Sequence, residues 1–303
     1  MTLVPLACGG DDSSAVSGAG SSGTGRAQLA VVASFYPLAF VVQRIGGDLV
    51  SVDNLTPQGA EPHELELTAS DTARLTDADL IVYLAGFAPA VDDGVDVEGK
   101  DHALDVSGAA RLDLQYTPIE DGTQRAADAD ARDPHFWLDP TRLIDVVEVI
   151  TERLATQDPT DAETFRTNAA ALVTELQTLD QEYATGLATC TNRDIVTSHN
   201  AFGYLAERYG LTQIGITGLT PEDEPTPADL AAVTKFVEDN HVTTIYYETL
   251  VSPAIAETVA SETGAKTEVL DPIEGLSGSS QGADYFGIMR ANLSNLRTGQ
   301  DCS

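Results

Sequence analysis

The sequence predicts an α/β protein in which two parallel-sheet α/β domains are joined by one long linking helix. Three observations predict it. Short β-branched runs alternate with amphipathic helical stretches up to about residue 158, the pattern of parallel strands connected by crossover helices. The same alternation resumes after residue 190. Between the two, one apolar stripe (Phe165, Ala169, Leu172, Leu176, Leu179, Tyr183, Leu187) runs at helical spacing. At about 1.5 Å per residue that helix is about 40 Å long, enough to cross from one domain to the other.

Residues 1–27 form a lipoprotein-like N-terminus and a disordered tether. Small and apolar residues precede Cys8, and Gly9-Gly10 and a polar tract follow it. This resembles a bacterial lipoprotein cleavage site and makes Cys8 a lipidation candidate. The match departs from pattern, because no basic segment precedes it and Pro5 stands where Leu is usual. A thiol in a disordered tail is the alternative. Residues 9–27 are nearly all Gly, Ser, Ala, Thr and Asp, a composition that cannot bury a core.

The N-terminal α/β domain spans 28–158. Strands are expected at 29–35, 49–55 and 80–84, with a helix at 38–45 stopped by Gly46-Gly47. A second helix, capped by Thr68 or Ser70, runs to about Ala78. Residues 116–133 are polar, acidic and aperiodic, hence a loop. Leu143, Val147, Ile150 and Leu154 mark one more helical face. The linking helix occupies 159–189, after Asp158-Pro159. In the C-terminal domain, 190–303, strands are expected at 195–197, 212–216, 244–247 and 267–270. Helices fall at 201–209, 227–240, 254–263 and 284–297, with Pro227 near a start and Gly210 and Gly264 past ends.

Composition excludes several roles. The 303 residues carry 48 acidic against 16 basic side chains, a formal net charge of -32. Such a surface repels nucleic acid and anionic headgroups. The hydrophobic fraction is 42%, but no apolar run approaches the ~18 residues of a membrane span. Membrane contact would then come only through a lipid anchor. Cys190 and Cys302 are expected to be bridged in an exported chain, tying the C-terminus to the start of the second domain. So far apart and without CxxC, they make a poor zinc site.

Among five histidines, three stand in unusual settings. His63 and His135 each follow a proline, whose fixed φ restrains a loop. His199 ends a strand, and so does Asp271. Ligands of open α/β sheets gather outside the carboxyl ends of the strands. If the domains face each other, the four side chains converge in the interdomain cleft, a metal site of three imidazoles and one carboxylate of the kind zinc takes in a closed shell. Singly, a loop His is more often only solvated, and a strand-end Asp more often caps the next helix. His102 and His241 lie outside such contexts.

These residues carry a resemblance. From about Leu29 to Cys302, through segments 31–37, 57–67, 133–140, 198–211 and 269–272, the chain resembles the cluster A-I metal-binding solute receptors of ABC importers. The resemblance implies metal ligands at His63, His135, His199 and Asp271, with a water or Glu61 as competitors for the fourth place. It implies a linking helix over 162–187. It also implies capture of Zn2+ outside the cytoplasm, at the periplasm or outer membrane face, and delivery to the permease of a zinc ABC importer, by a monomer that is not an enzyme. Manganese-type relatives commonly carry a carboxylate where His199 stands, and an N3O shell favours zinc. Residues 119–132 contain no His, so no accessory zinc-gathering loop is implied. The rivals are a zinc-dependent hydrolase with a three-His site and a manganese receptor or adhesin of the same fold. His63-Glu64 begins like HExxH, but position 67 is Leu. A catalytic zinc also needs an open position.

Overall fold

The computed structural model describes residues 27–120, 123–124 and 132–303. Cys8, nearly all of the tether and much of the acidic loop lie outside the described residues.

The first lobe starts with β1 (Leu29–Ala33), α1 (Tyr36–Gly46), β2 (Val50–Asn54), α2 (Ala69–Asp77) and β3 (Leu80–Tyr83). It continues through α3 (Pro89–Gly94), β4 (Ala103–Asp105), α4 (Ser107–Ala110), a short antiparallel pair β5 (Ile119–Glu120) and β6 (Thr123–Gln124), and α5 (Pro140–Gln157). Helix α6 (Ala162–Gly186) leads to the second lobe. That lobe comprises β7 (Asp194–Thr197), α7 (Gly203–Tyr209), β8 (Thr212–Gly215), α8 (Pro227–Asp239), β9 (Thr244–Tyr247), α9 (Ala254–Thr263), β10 (Lys266–Val269) and α10 (Tyr285–Gly299). Each lobe holds a four-stranded parallel sheet, in the orders β2-β1-β3-β4 and β10-β9-β7-β8. The α/β class with two parallel sheets and a linking helix is as expected.

Local chemistry explains the boundaries. Thr68, not Ser70, caps α2: its hydroxyl accepts from the Asp71 N–H while the Asp71 carboxylate accepts from the Thr68 N–H. Gly210 and Gly264 close α7 and α9 in the left-handed region, at φ +69° and +76°, where a Cβ would be strained. The expectation missed what lies between β3 and the acidic loop. Strand β4 has only three residues, too few to show a period. The turns from Pro89 to His102 bury little besides Val91 and Val95 on a polar, acidic stretch. The expected loop 116–133 also carries the β5–β6 pair.

Helix α6 buries Phe165, Ala169, Leu172, Leu176, Leu179 and Tyr183. It lies along α1 and α5 on one side and α10 on the other. The Tyr183 hydroxyl donates to the Met289 carbonyl at 2.6 Å. One hydrophobic core therefore continues from the first sheet, through α5 and α6, to Tyr246, Tyr285 and Leu296 of the second lobe. A smaller core sits under α8 and α9. A shared core of this extent ties the lobes together more stiffly than a linker would. Cys190 and Cys302 are bridged, beside α10. Among the described residues no helix is long and apolar enough to cross a membrane.

Candidate metal centre

The loops leaving the carboxyl ends of β2, β7 and β10 meet in the cleft, joined by the segment just before α5. His63 lies on the β2–α2 loop, which is anchored where the Thr56 hydroxyl donates to the Ser34 carbonyl. Its backbone N–H donates to Glu61 Oε1 at 3.1 Å, and its ring packs on Phe87 with centroids 4.4 Å apart. His135 sits in Asp133-Pro134-His135 before a 3-10 turn, Phe136–Leu138. That turn is pinned across the lobes: the Trp137 indole N–H donates to the Pro272 carbonyl, and the Tyr285 hydroxyl to the Trp137 carbonyl, both at 2.7 Å. His199 follows β7, and its carbonyl accepts from the Thr197 hydroxyl at 2.6 Å.

The three imidazoles come together with a fourth residue, Glu274. His135 Nε2 lies 3.3 Å from His63 Nε2 and 3.4 Å from His199 Nε2. Glu274 Oε1 lies 3.1, 3.2 and 3.6 Å from the Nε2 atoms of His135, His199 and His63. All four atoms lie within 4.8 Å of one another, and all four residues are buried. Five of the six separations average about 3.3 Å, and a regular tetrahedron of that edge has its centre about 2.0 Å from each corner, the distance at which zinc takes imidazole nitrogen and carboxylate oxygen. The donor set and its size fit that ion.

Asp271, the expected fourth member, is elsewhere. Its carboxylate accepts from the Ile273 N–H at 2.8 Å and the Thr249 hydroxyl at 2.9 Å, and Asn292 brackets its backbone on both sides. It caps the turn in which Ile273 adopts φ +60°, and that turn swings the chain so that Glu274, three residues on, enters the cleft. The strand-end rule stops at the last strand residue and cannot see this. The available signal was an acid between Pro272 and Gly275 in a loop. The competitor Glu61 is 4.0 Å from His63 Nε2 and outside the four. Burial, then the charge of Glu274, push its carboxyl up to about 8. His102 bonds the Leu75 carbonyl and His241 is exposed beyond α8.

Outside the cluster, Asp133 Oδ1 accepts from both the N–H and Nδ1 of His135, at 2.9 and 2.8 Å. Glu248 Oε1 meets His199 Nδ1 at 2.7 Å. Neither acid stood out in the sequence. Their effect is electrostatic. Burial pulls His135 and His199 down, but Asp133 and Glu274 raise the first and Glu248 and Glu274 hold the second well above its ordinary value. At His63 burial wins and the imidazole is lowered. Burial pushes Glu274 up, yet the His199 charge and the contacts to all three rings hold it well below the usual carboxylate range. Over His63, a cavity of about 450 Å³ lined by Glu64, Phe87, Arg132 and Asp223 opens to solvent.

Two parallel α/β lobes on one long helix, closing over a buried N3O cluster, define a metal-binding receptor. The chain belongs to the family described as zinc-uptake complex component A, periplasmic, whose model matches residues 31–299. It is 37% identical over 305 residues to the high-affinity zinc uptake system protein ZnuA of Bacillus subtilis (strain 168), covering 97% of this chain and 93% of that protein. It is also 37% identical over 286 residues to the zinc-binding lipoprotein AdcA of Streptococcus pneumoniae (strain ATCC BAA-255 / R6), covering 90% of this chain but 56% of AdcA. The Zn(II)-bound ZnuA-like domain of S. pneumoniae AdcA superimposes with a TM-score of 0.74, covering 91% of this chain and all of that domain. The laminin-binding protein Lmb of Streptococcus agalactiae, described as having adhesin and metal-transporting activity, gives 0.77 at 32% identity, covering 90% of this chain and 99% of Lmb.

Proposed function

We propose that the protein captures Zn2+ outside the cytoplasm and delivers it to the permease of an ABC importer, with His63, His135, His199 and Glu274 as the ligands. The observation that carries this is the cluster of three Nε2 atoms and one carboxylate oxygen, with five of its six separations at 3.1–3.6 Å and all within 4.8 Å. Three neutral imidazoles select a borderline ion over manganese. Four protein ligands close the shell, so no position is left for the water a hydrolase needs. The chain works as a receptor and not as an enzyme. The ion enters from the cavity over His63, sheds its waters in the cleft and is held dry. The shared core along α6 limits hinge opening, so uptake and release go through the loops that carry the ligands.

The lipoprotein-like motif at Cys8 supports a lipid anchor, with residues 9–27 as the tether that stands the receptor off the membrane. It acts as a monomer, divided at about 158 and 190 into two domains and their linking helix. The test is metal analysis of protein purified without chelator. One zinc per chain, lost in His199→Ala and not displaced by an equal concentration of manganese, is expected. A chain that holds no zinc, or whose His199→Ala form holds as much, would refute the assignment.

A further inference from the structure

We infer that Asp133 and Glu248 are positioning residues for zinc capture: each holds one imidazole by Nδ1 so that Nε2 is the atom presented to the ion. The inference rests on zinc being held by the four clustered atoms, and it assigns a role to two acids that are not among them.

A neutral imidazole has one N–H and one lone pair, so an acceptor placed at Nδ1 draws the hydrogen there and leaves the lone pair on Nε2. Both acids are placed to do this, at 2.8 Å for Asp133 and 2.7 Å for Glu248. They are 2% and 3% exposed, a costly position for a carboxylate that serves only packing. Glu248 is the more telling. Its Oε1 takes both the Ser198 hydroxyl, at 2.8 Å, and His199 Nδ1. Its Oε2 has no hydrogen-bond partner among the described residues. Such a group is stabilised by positive charge nearby, and a divalent ion on the far side of the imidazole supplies it.

Each acid is itself fixed. Glu248 is the first residue after β9, beside β7, where the Ser198 N–H donates to the Tyr246 carbonyl at 2.9 Å. Asp133 is clasped by the other lobe. The start of α7 approaches so closely that a Cβ on Gly203 would lie 2.4 Å from Asp133 Oδ2. The Tyr204 hydroxyl donates to the Asp133 carbonyl at 2.9 Å, and the Arg142 guanidinium lies 4.2 Å over the Tyr204 ring. His135, from the first lobe, is thus oriented through a residue locked by the second. His63 has no such partner among the described residues and rests on Phe87, which makes it an internal reference.

The experiment uses the full chain as wild type, Glu248→Ala, Glu248→Gln, Asp133→Ala and Asp133→Asn. Zinc affinity is read by chelator competition, and the imidazole nitrogens of the zinc-loaded protein by 15N NMR. The alanine variants are expected to bind zinc about 10–100-fold more weakly and to lose the hydrogen-bonded Nδ1–H signal of the one imidazole each acid holds. The His63 resonances should stay. Glu248→Gln and Asp133→Asn keep an oxygen acceptor, and should retain the Nδ1–H signal and recover part of the affinity. A merely structural role would lower the melting temperature of the metal-free protein without separating the amide from the alanine variant in either zinc reading.

Alanine variants within about twofold of wild-type affinity would overturn the inference. If they do not fold, amide variants that lose the Nδ1–H signal yet bind zinc as wild type overturn it equally. Wild-type protein that takes up no zinc would remove the receptor reading and this inference together. Wild-type uptake with unchanged variants removes this inference alone.

Discussion

Zinc uptake should expel about two protons, and the apparent affinity should climb steeply with pH. In the metal-free protein His135 and His199 are raised, each between two carboxylates, so each keeps its second proton to higher pH than a free imidazole does. Their Nδ1–H groups point to Asp133 and Glu248 and remain in the complex. Their Nε2–H protons face Glu274 and must leave. His63 is lowered and already neutral, and Glu274 is already ionised. The count approaches two at pH values where both raised imidazoles are protonated. Each proton contributes about 1.4 kcal/mol per pH unit, so affinity should rise about 100-fold per unit below the raised values and level off above them. Unperturbed imidazoles would level off near pH ~6.5. Calorimetry in buffers of different ionisation enthalpy measures the number directly. Release of fewer than about one proton near pH ~6.5 would refute the reasoning. The sign reverses for the metal-free fold. Groups raised on folding stabilise it fully below their unfolded value near ~6.5, and that contribution is lost as pH rises through the folded values. The melting-temperature gap between zinc-loaded and metal-free protein should accordingly widen with rising pH, and a constant gap would count against it.

Glu274→Ala should weaken zinc binding by at least about 100-fold, because an anionic corner of the shell is gone. Asp271→Asn keeps an acceptor for the Ile273 N–H and should cost far less affinity, while lowering stability by about 1–3 kcal/mol in denaturant titration; the reverse ranking would restore Asp271 to the shell. Cys302→Ser opens a bridge spanning 112 residues and should destabilise the fold by about 2–5 kcal/mol, with one zinc still bound per chain by metal analysis. Gly203→Ala drives a methyl against Asp133 and should slow neither expression nor folding of the sheets as much as it weakens zinc, by about tenfold in chelator competition; unchanged affinity would show that Asp133 has room to move.

The fold was legible where burial writes a long period into the chain. The α6 stripe, spaced three and four residues apart from Phe165 to Tyr183, is the buried face of one helix, because a helix between two lobes must bury one side along its whole length. Strands β1, β3, β7 and β9 showed as short β-branched runs for the same reason: parallel strands are covered on both faces. What did not show is held by other forces. Strand β4 extends an existing sheet with three residues, and its pairing to β3 lies in backbone hydrogen bonds. The turns after Pro89 bury too few side chains to leave a pattern.

The site divides along the same line. Histidines are scarce here, five in 303 residues, so proline-restrained loops and a strand end singled out His63, His135 and His199, the three rings that the fold brings together. Acids number 48, and the strand-end rule chose among them by place alone. Five of the described acids stand closest to the question, and what separates them is prior commitment. Glu61 spends an oxygen on the His63 backbone, Asp133 and Glu248 on imidazole Nδ1 atoms, Asp271 on the Ile273 N–H. Only Glu274 turns one oxygen to all three Nε2 atoms and leaves the other without a hydrogen bond among the described residues. A fully buried carboxylate in that condition is tolerable when a cation is its intended neighbour. Commitment of lone pairs is a property of three-dimensional neighbours, and so the fourth member of the cluster leaves no mark in the sequence that singles it out.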